Sequence, residues 1–335
     1  MSSALYTIKR FKIHTLTPVF IGSGEEFTPF TYIYDEENKS VYYLKEEMFE
    51  EIYKRCGNEL LEQAKRGRIE MTEFLRQHND LLSKSKQREN YYYKLSYKEI
   101  PRDKIHTFIK QYNEKYNEPG PYIPGSEIKG AIRTALLYSI LKSGEKLPSN
   151  ERELEKLLRI NNTPQDDILR CLIIRDTNPV KLDRLIVEPV TVLHRRKNKR
   201  FRIWCEILQE NTEFECEILI DEKLRQKFTE RNKELAEILT FDGLKAKCKE
   251  FYKDLIDFEK QTFSEFSRGE VIDHGVVEEK LNEGKFMLRI GMGQGYYGLT
   301  VNLINRNKDI ETKRAVRKDE RKYLPLGWIL LEEIR

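Results

Sequence analysis

The chain has 335 residues, 39% hydrophobic and 35% charged, with a net charge of +4. That length allows two domains of ordinary size, and 18 Tyr with 16 Phe argue against a disordered chain. The near balance of charge excludes a uniformly basic nucleic-acid coat, so a nucleic-acid contact would have to rest on local clusters. Cys56, Cys171, Cys205, Cys216 and Cys248 form no CxxC pair, which speaks against a zinc ribbon or a disulfide framework. The first residues carry no apolar signal core, and no apolar run is long enough to span a bilayer. The expectation is a cytoplasmic protein with reduced thiols and no membrane partner.

Residues 5–21 read as a strand, with Tyr6, Ile8, Phe11, Ile13 and Thr15 alternating against polar positions. A register change at Lys9–Arg10 suits a bulge. Gly22-Ser23-Gly24 then reads as a turn that exposes backbone. Residues 31–44 are two tyrosine-rich runs around a polar turn, a β-hairpin pattern. Residues 45–90 turn to helical spacing, with Ser83 to Lys94 as a polar loop. Pro119, Pro121 and Pro124 mark an extended segment before a helix over 126–142, with Ser126 as its N-cap and Gly144 as its stop. A short helix near 151–160 and a strand at Leu172–Arg175 follow. Residues 184–193 and 201–220 are strand-like. Over 222–266, Leu244, Cys248, Phe251, Leu255 and Phe258 make a buried helical stripe. Residues 285–304 return to strand character, interrupted by GMGQGYYG. The order predicts an α+β fold with a boundary near residue 185, giving domains 1–185 and 186–335.

Four segments carry candidate function. In GMGQGYYG, Gly291, Gly293 and Gly295 permit close backbone approach, so N–H groups around Gln294 can cradle phosphate, and Tyr296 and Tyr297 offer stacking faces. A ligand-free glycine turn fits the same residues. The embedded G-x-G-x-x-G is followed by strand-like LTVNLI rather than a helix, which excludes a dinucleotide fold. Pro124-Gly125-Ser126 leads into a helix whose N-terminus is an anion site, and Lys129 and Arg133 project from one side of it. An ordinary capped helix with solvated cations is the competing reading. Gly22, Ser23 and Gly24 form the third segment, for which a turn without a ligand is the default reading. The fourth is HRRKNKRFR, where Arg195, Arg196 and Lys197 begin a basic run that attracts phosphate. No catalytic residue and no metal ligand set stands out. His14 lies in the first strand, where a general base could act on an RNA 2′-hydroxyl, and a surface or partly buried strand histidine is the competing reading.

Ile123 to Gly130 and Arg133 to Leu136 (IPGSEIKG…RTAL), with the late GMGQGYYG and the early FIGSG, resemble the RAMP superfamily of CRISPR-associated proteins. Within it, they are most similar to the family of the fifth Csm subunit of type III-A effector complexes. Met292 stands where that family usually has glycine. The resemblance implies two ferredoxin-like (RRM-like) domains carrying helical insertions at about 45–120 and 222–266. It implies a non-catalytic subunit that binds CRISPR RNA and caps the backbone filament near the 3′ end of that RNA. Such a subunit supports RNA maturation and antiviral defence, partners the backbone RAMP subunit and the small subunit, and needs no cofactor. The acidic residue that cuts target RNA belongs to the backbone subunit, and that role is not carried onto Asp35, which sits in the predicted hairpin turn. The alternative is a Cas6-like, metal-independent endoribonuclease using His14.

Overall fold

Alternation governs the first strand, Tyr6–Thr15: Phe11, Ile13 and Thr15 are buried, while Tyr6, Ile8 and Arg10 face solvent. The computed structural model describes residues 5–67, 69–144, 151–159, 163–194, 200–230, 238–263, 271–305, 312–317 and 322–334. Pairing with Glu213–Asp221 runs unbroken from Tyr6↔Asp221 to His14↔Glu213. The bulge expected at Lys9–Arg10 is therefore absent. The exposed Tyr6 and Ile8 suggested a register change because they are apolar, yet they lie on the outer face. The strand also stops at Thr15, whose hydroxyl donates to the Gln209 carbonyl at 2.7 Å, and residues 16–21 cross to the second sheet.

The smaller sheet is antiparallel throughout. Its order is Phe286–Arg289, Trp328–Ile334, Tyr6–Thr15, Glu213–Asp221 and Leu172–Ile174. Two long helices, Gly125–Lys142 and Phe241–Phe263, pack against this sheet and against each other. The expected stripe Leu244, Cys248, Phe251, Leu255 and Phe258 is buried. Along the helix seam the Tyr138 ring lies 5.1 Å from the Phe251 ring, and its hydroxyl donates to Asp254 at 2.7 Å.

The larger sheet is mixed. Its path runs from Val271–Ile272 through Lys322–Pro325, Thr312–Arg317, Leu185–His194, Phe201–Leu208 and Ile105–Phe108 to an edge strand, Gly22–Phe27. The hairpin Tyr32–Asp35 with Ser40–Leu44 forms as expected and joins through Tyr91–Tyr97. In its turn, the Asp35 carboxylate accepts from the backbone N–H of Glu37 and Asn38 and from Lys86 at 2.8 Å. Burial works to raise its pKa, but these donors outweigh burial and bring it to about 2.

Glu46–Arg66, Met71–Leu75 and Asn79–Ser85 form a helical insert with its own core around Ile33, Tyr42, Met48, Ile52, Phe74 and Leu81. Helical structure ends at Asn90. The polar run expected to be a loop to Lys94 enters the strand Tyr91–Tyr97, with Tyr91 and Leu95 turned inward. Strands Ile105–Phe108, Lys110–Asn113 and Glu118–Pro121 then occupy part of the range assigned to a helical insertion.

The result is an α+β fold. Each sheet draws strands from both sides of residue 185: Tyr6–Thr15 lies between strands of the later half, and Phe201–Leu208 lies beside Ile105–Phe108. Among the described residues, no helix is long and apolar enough to cross a membrane.

Candidate nucleic-acid interface

The helix Gly125–Lys142 begins one residue earlier than the sequence suggests. Pro124 occupies the N-cap and no side chain caps from that position, so Ser126 is not the N-cap but an exposed residue of the first turn. The Gly125 N–H donates to Asp176 Oδ1 at 2.7 Å. A carboxylate of the protein thus takes the place at the helix start that the sequence offered to a phosphate. Gly125 is required because a Cβ there would overlap the Ile174 carbonyl, where the helix abuts the strand Leu172–Ile174. The two cations are also engaged. Lys129 Nζ donates to the Leu172 carbonyl at 2.8 Å, and its half-burial pushes its pKa down. Arg133 pairs with Asp167 at 2.8 Å. Together they fasten the segment 167–172 to the helix.

Gly22-Ser23-Gly24 is part of a strand rather than a turn. It opens Gly22–Phe27 at the margin of the large sheet, paired to Ile105–Phe108 with a register shift between Gly22 and Glu26. All three residues are exposed, and Ser23 Oγ lies 2.5 Å from Thr107 Oγ1. Just before it, the Phe20 carbonyl accepts from the Met292 N–H at 2.8 Å.

That bond ties the edge strand to the glycine loop. Gly291 has φ 66°, and a Cβ there would overlap the Phe20 carbonyl, so only glycine fits. Its N–H donates to Glu127 Oε2, in the first turn of the helix, at 3.0 Å. FIGSG, IPGSEIKG and GMGQGYYG, far apart in sequence, therefore meet through Phe20, Glu127 and Gly291–Met292. Gly293, also at positive φ, lies against Leu326. The loop does not continue as a strand. Gly295–Leu299 is a short helix and Val301–Ile304 a 3₁₀ turn. Tertiary packing overrides the β-propensity of LTVNLI: Gly298 seats close to Leu255, and Tyr297 is buried 4.6 Å from the Phe258 ring.

The candidate residues thus separate. Gly22, Ser23, Gly24, Ser126 and Tyr296 are exposed. Gly125, Gln294 and Tyr297 are buried, and Lys129 and Arg133 are half-buried and paired within the protein. Gly291 lies within the junction, Gly293 beside it against Leu326, and Pro124 at the cap of the helix that carries Glu127. Arg195, Arg196 and Lys197 fall outside the described residues.

Sequence reasoning missed Glu127 and Asp176, which accept from the two motif glycines. It also missed Arg289. This arginine is fully buried and donates from Nη2 to the Gly293 carbonyl at 2.8 Å, from Nε to the Leu326 carbonyl at 2.9 Å, and from Nη1 to Glu259 at 2.8 Å. Its signal was a charge inside the apolar strand FMLRI. His274 is also buried, with Nε2 3.0 Å from Glu259. His14 lies on the outer face of the small sheet, 3.4 Å from Glu213 and 3.3 Å from Glu332. Among the described residues, no group of three or more His, Cys, Asp or Glu is placed to hold a metal ion.

A family model described as the RAMP superfamily matches residues 12–297. Two solved structures share the fold. One is a chain of a cryo-EM structure of a Csm–crRNA–target RNA ternary complex of a type III-A CRISPR-Cas system, with TM-score 0.65 and 22% identity, covering 97% of this chain and 100% of that one. The other is the crystal structure of T. onnurineus Csm5, with TM-score 0.68 and 23% identity, covering 95% of this chain and 99% of that one. No curated protein matches the chain in sequence.

Proposed function

Because the chain belongs to the RAMP superfamily, we propose that it is a non-catalytic, CRISPR-RNA-binding subunit of a type III-A effector complex. In this reading it caps the backbone filament near the 3′ end of the guide RNA and contacts the backbone RAMP subunit and the small subunit. The observation that carries the RNA contact is the junction of the three motifs, through Met292 N–H to Phe20 and Gly291 N–H to Glu127. The junction presents an exposed edge strand at Gly22–Gly24, an exposed Ser126 and the half-open Tyr296 ring on neighbouring elements. Backbone, hydroxyl and ring recognise phosphate, 2′-hydroxyl and base faces without reading base identity, as a guide with variable spacer requires. The grip is made by main chain and a ring more than by cations, since Lys129 and Arg133 serve the fold.

Photo-crosslinking of the full chain to a guide RNA tests this. Crosslinked peptides are expected within 20–27 or 291–300, and their absence from both would remove the proposal. Tyr296→Ala is expected to weaken binding about tenfold, since stacking of one base is worth ~1–3 kcal/mol. The Cas6-like alternative makes a different demand. His14 stands between Glu213 and Glu332, each of which is also paired to a lysine, Lys12 and Lys285. Metal-free, site-specific cleavage of repeat RNA, lost in His14→Ala, would replace the non-catalytic reading.

A further inference from the structure

Beneath the glycine loop lies a buried ion cluster assembled from four separate elements. Glu259 comes from the helix Phe241–Phe263, His274 from the residue before the helix Gly275–Asn282, Arg289 from the end of the strand Phe286–Arg289, and Lys313 from Thr312–Arg317. Glu259 pairs with Arg289 at 2.8 Å and with Lys313, and His274 lies 3.0 Å away. All four are almost entirely buried. Arg289 reaches the loop, and its three donor nitrogens are spent on three acceptors in three places.

We propose that Arg289 is the positioning residue of the glycine loop, presetting it to receive an RNA phosphate. The inference rests on the RNA-binding reading given above. A loop with positive φ at Gly291, Gly293 and Gly295 has many alternative conformations when unbound, and fixing it on binding would cost affinity. The planar guanidinium removes that freedom in advance. Its fork joins the Gly293 carbonyl to the Leu326 carbonyl, so the loop is held to the strand connection beneath it. A lysine ammonium on a thinner stem cannot reach three divergent acceptors at once. Glu259 makes the arrangement tolerable, because a desolvated guanidinium needs a carboxylate partner. The Trp328 ring, 5.2 Å from the guanidinium carbon, closes the remaining side. The cluster also sets one carboxylate against two cations, Arg289 and Lys313, so its field beneath the loop favours an anion when Lys313 is protonated.

The test is Arg289→Lys in the full chain, read by hydrogen exchange and by guide-RNA affinity. Amides of 290–298 are expected to exchange at least tenfold faster, with the helix Gly125–Lys142 unchanged. Guide affinity is expected to fall about tenfold, because the loop must then be ordered at the moment of binding. Glu259→Gln, which keeps shape and removes the holding charge, is expected to act in the same direction and serves if Arg289→Lys does not fold. Lys313→Met, which leaves the Gly293 carbonyl bonded, is expected to keep wild-type exchange in 290–298. Wild-type exchange in Arg289→Lys would overturn the proposal. Faster exchange with undiminished guide affinity would overturn it as well. A wild-type chain that binds no guide RNA would instead refute the function proposed above, and loop exchange would then decide the positioning role by itself.

Discussion

Lys313 is fully buried, and burial together with the neighbouring Arg289 pushes its pKa down to about 7, from an ordinary value near 10.5. Glu259 pulls the other way but is outweighed, because its charge is already answered by Arg289. A depressed value in the folded state means that the unfolded chain binds more protons between pH 7 and 10.5. Stability from this residue is therefore present above 10.5 and is lost as pH falls through about 7. Denaturant titrations from pH 7 to 9.5 are expected to show stability rising with pH, and the rise should flatten in Lys313→Met. Asp35 behaves oppositely in position and alike in sign: its contribution is present above its ordinary value near 3.8 and is lost as pH falls toward 2. Asp35→Ala is expected to lower stability by ~1–3 kcal/mol, measured by urea denaturation at pH 7. The sequence made the hairpin around Asp35 legible. It did not make Asp176 or Glu127 legible as partners of glycine N–H groups, because those bonds cross 51 and 164 positions.

The helices Gly125–Lys142 and Phe241–Phe263 were readable from spacing alone, since buried stripes repeat every three to four residues. What they pack against was not readable. Their seam is mixed, with Tyr138 and Phe251 in ring contact and Tyr138, Ser139 and Lys142 bonded to Asp254 and Glu250. Phe251→Ala is expected to cost ~3–5 kcal/mol by chemical denaturation, as a fully buried ring leaves a cavity between two helices and a sheet. Tyr138→Phe removes the hydroxyl bond to Asp254 and is expected to cost ~0.5–1.5 kcal/mol. The segment after the glycine loop escaped local reading for the opposite reason. Its residues favour strand, but a strand would pull Tyr297 from Phe258 and Gly298 from Leu255.

At the scale of the molecule, the two sheets are interleaved along the chain. Each holds one of the two tryptophans: Trp204 lies in the large sheet and Trp328 in the small one. Trp204→Phe and Trp328→Phe variants therefore report the sheets separately. Their fluorescence transitions are expected to coincide, because strands shared between chain halves bind the sheets into one cooperative unit. Fragments 1–185 and 186–335 are expected to lack native circular dichroism when made alone, since each leaves the strand Tyr6–Thr15 or its neighbours unpaired. An α+β composition was legible in the alternation of patterns, but this exchange of strands was not, because pairing partners over 200 residues apart leave no local trace. The pairing of Tyr6–Thr15 with Trp328–Ile334 also sets an order of events during synthesis. The first strand can pair with Glu213–Asp221 as soon as that stretch is made, but its other edge stays open until Trp328–Ile334 follows.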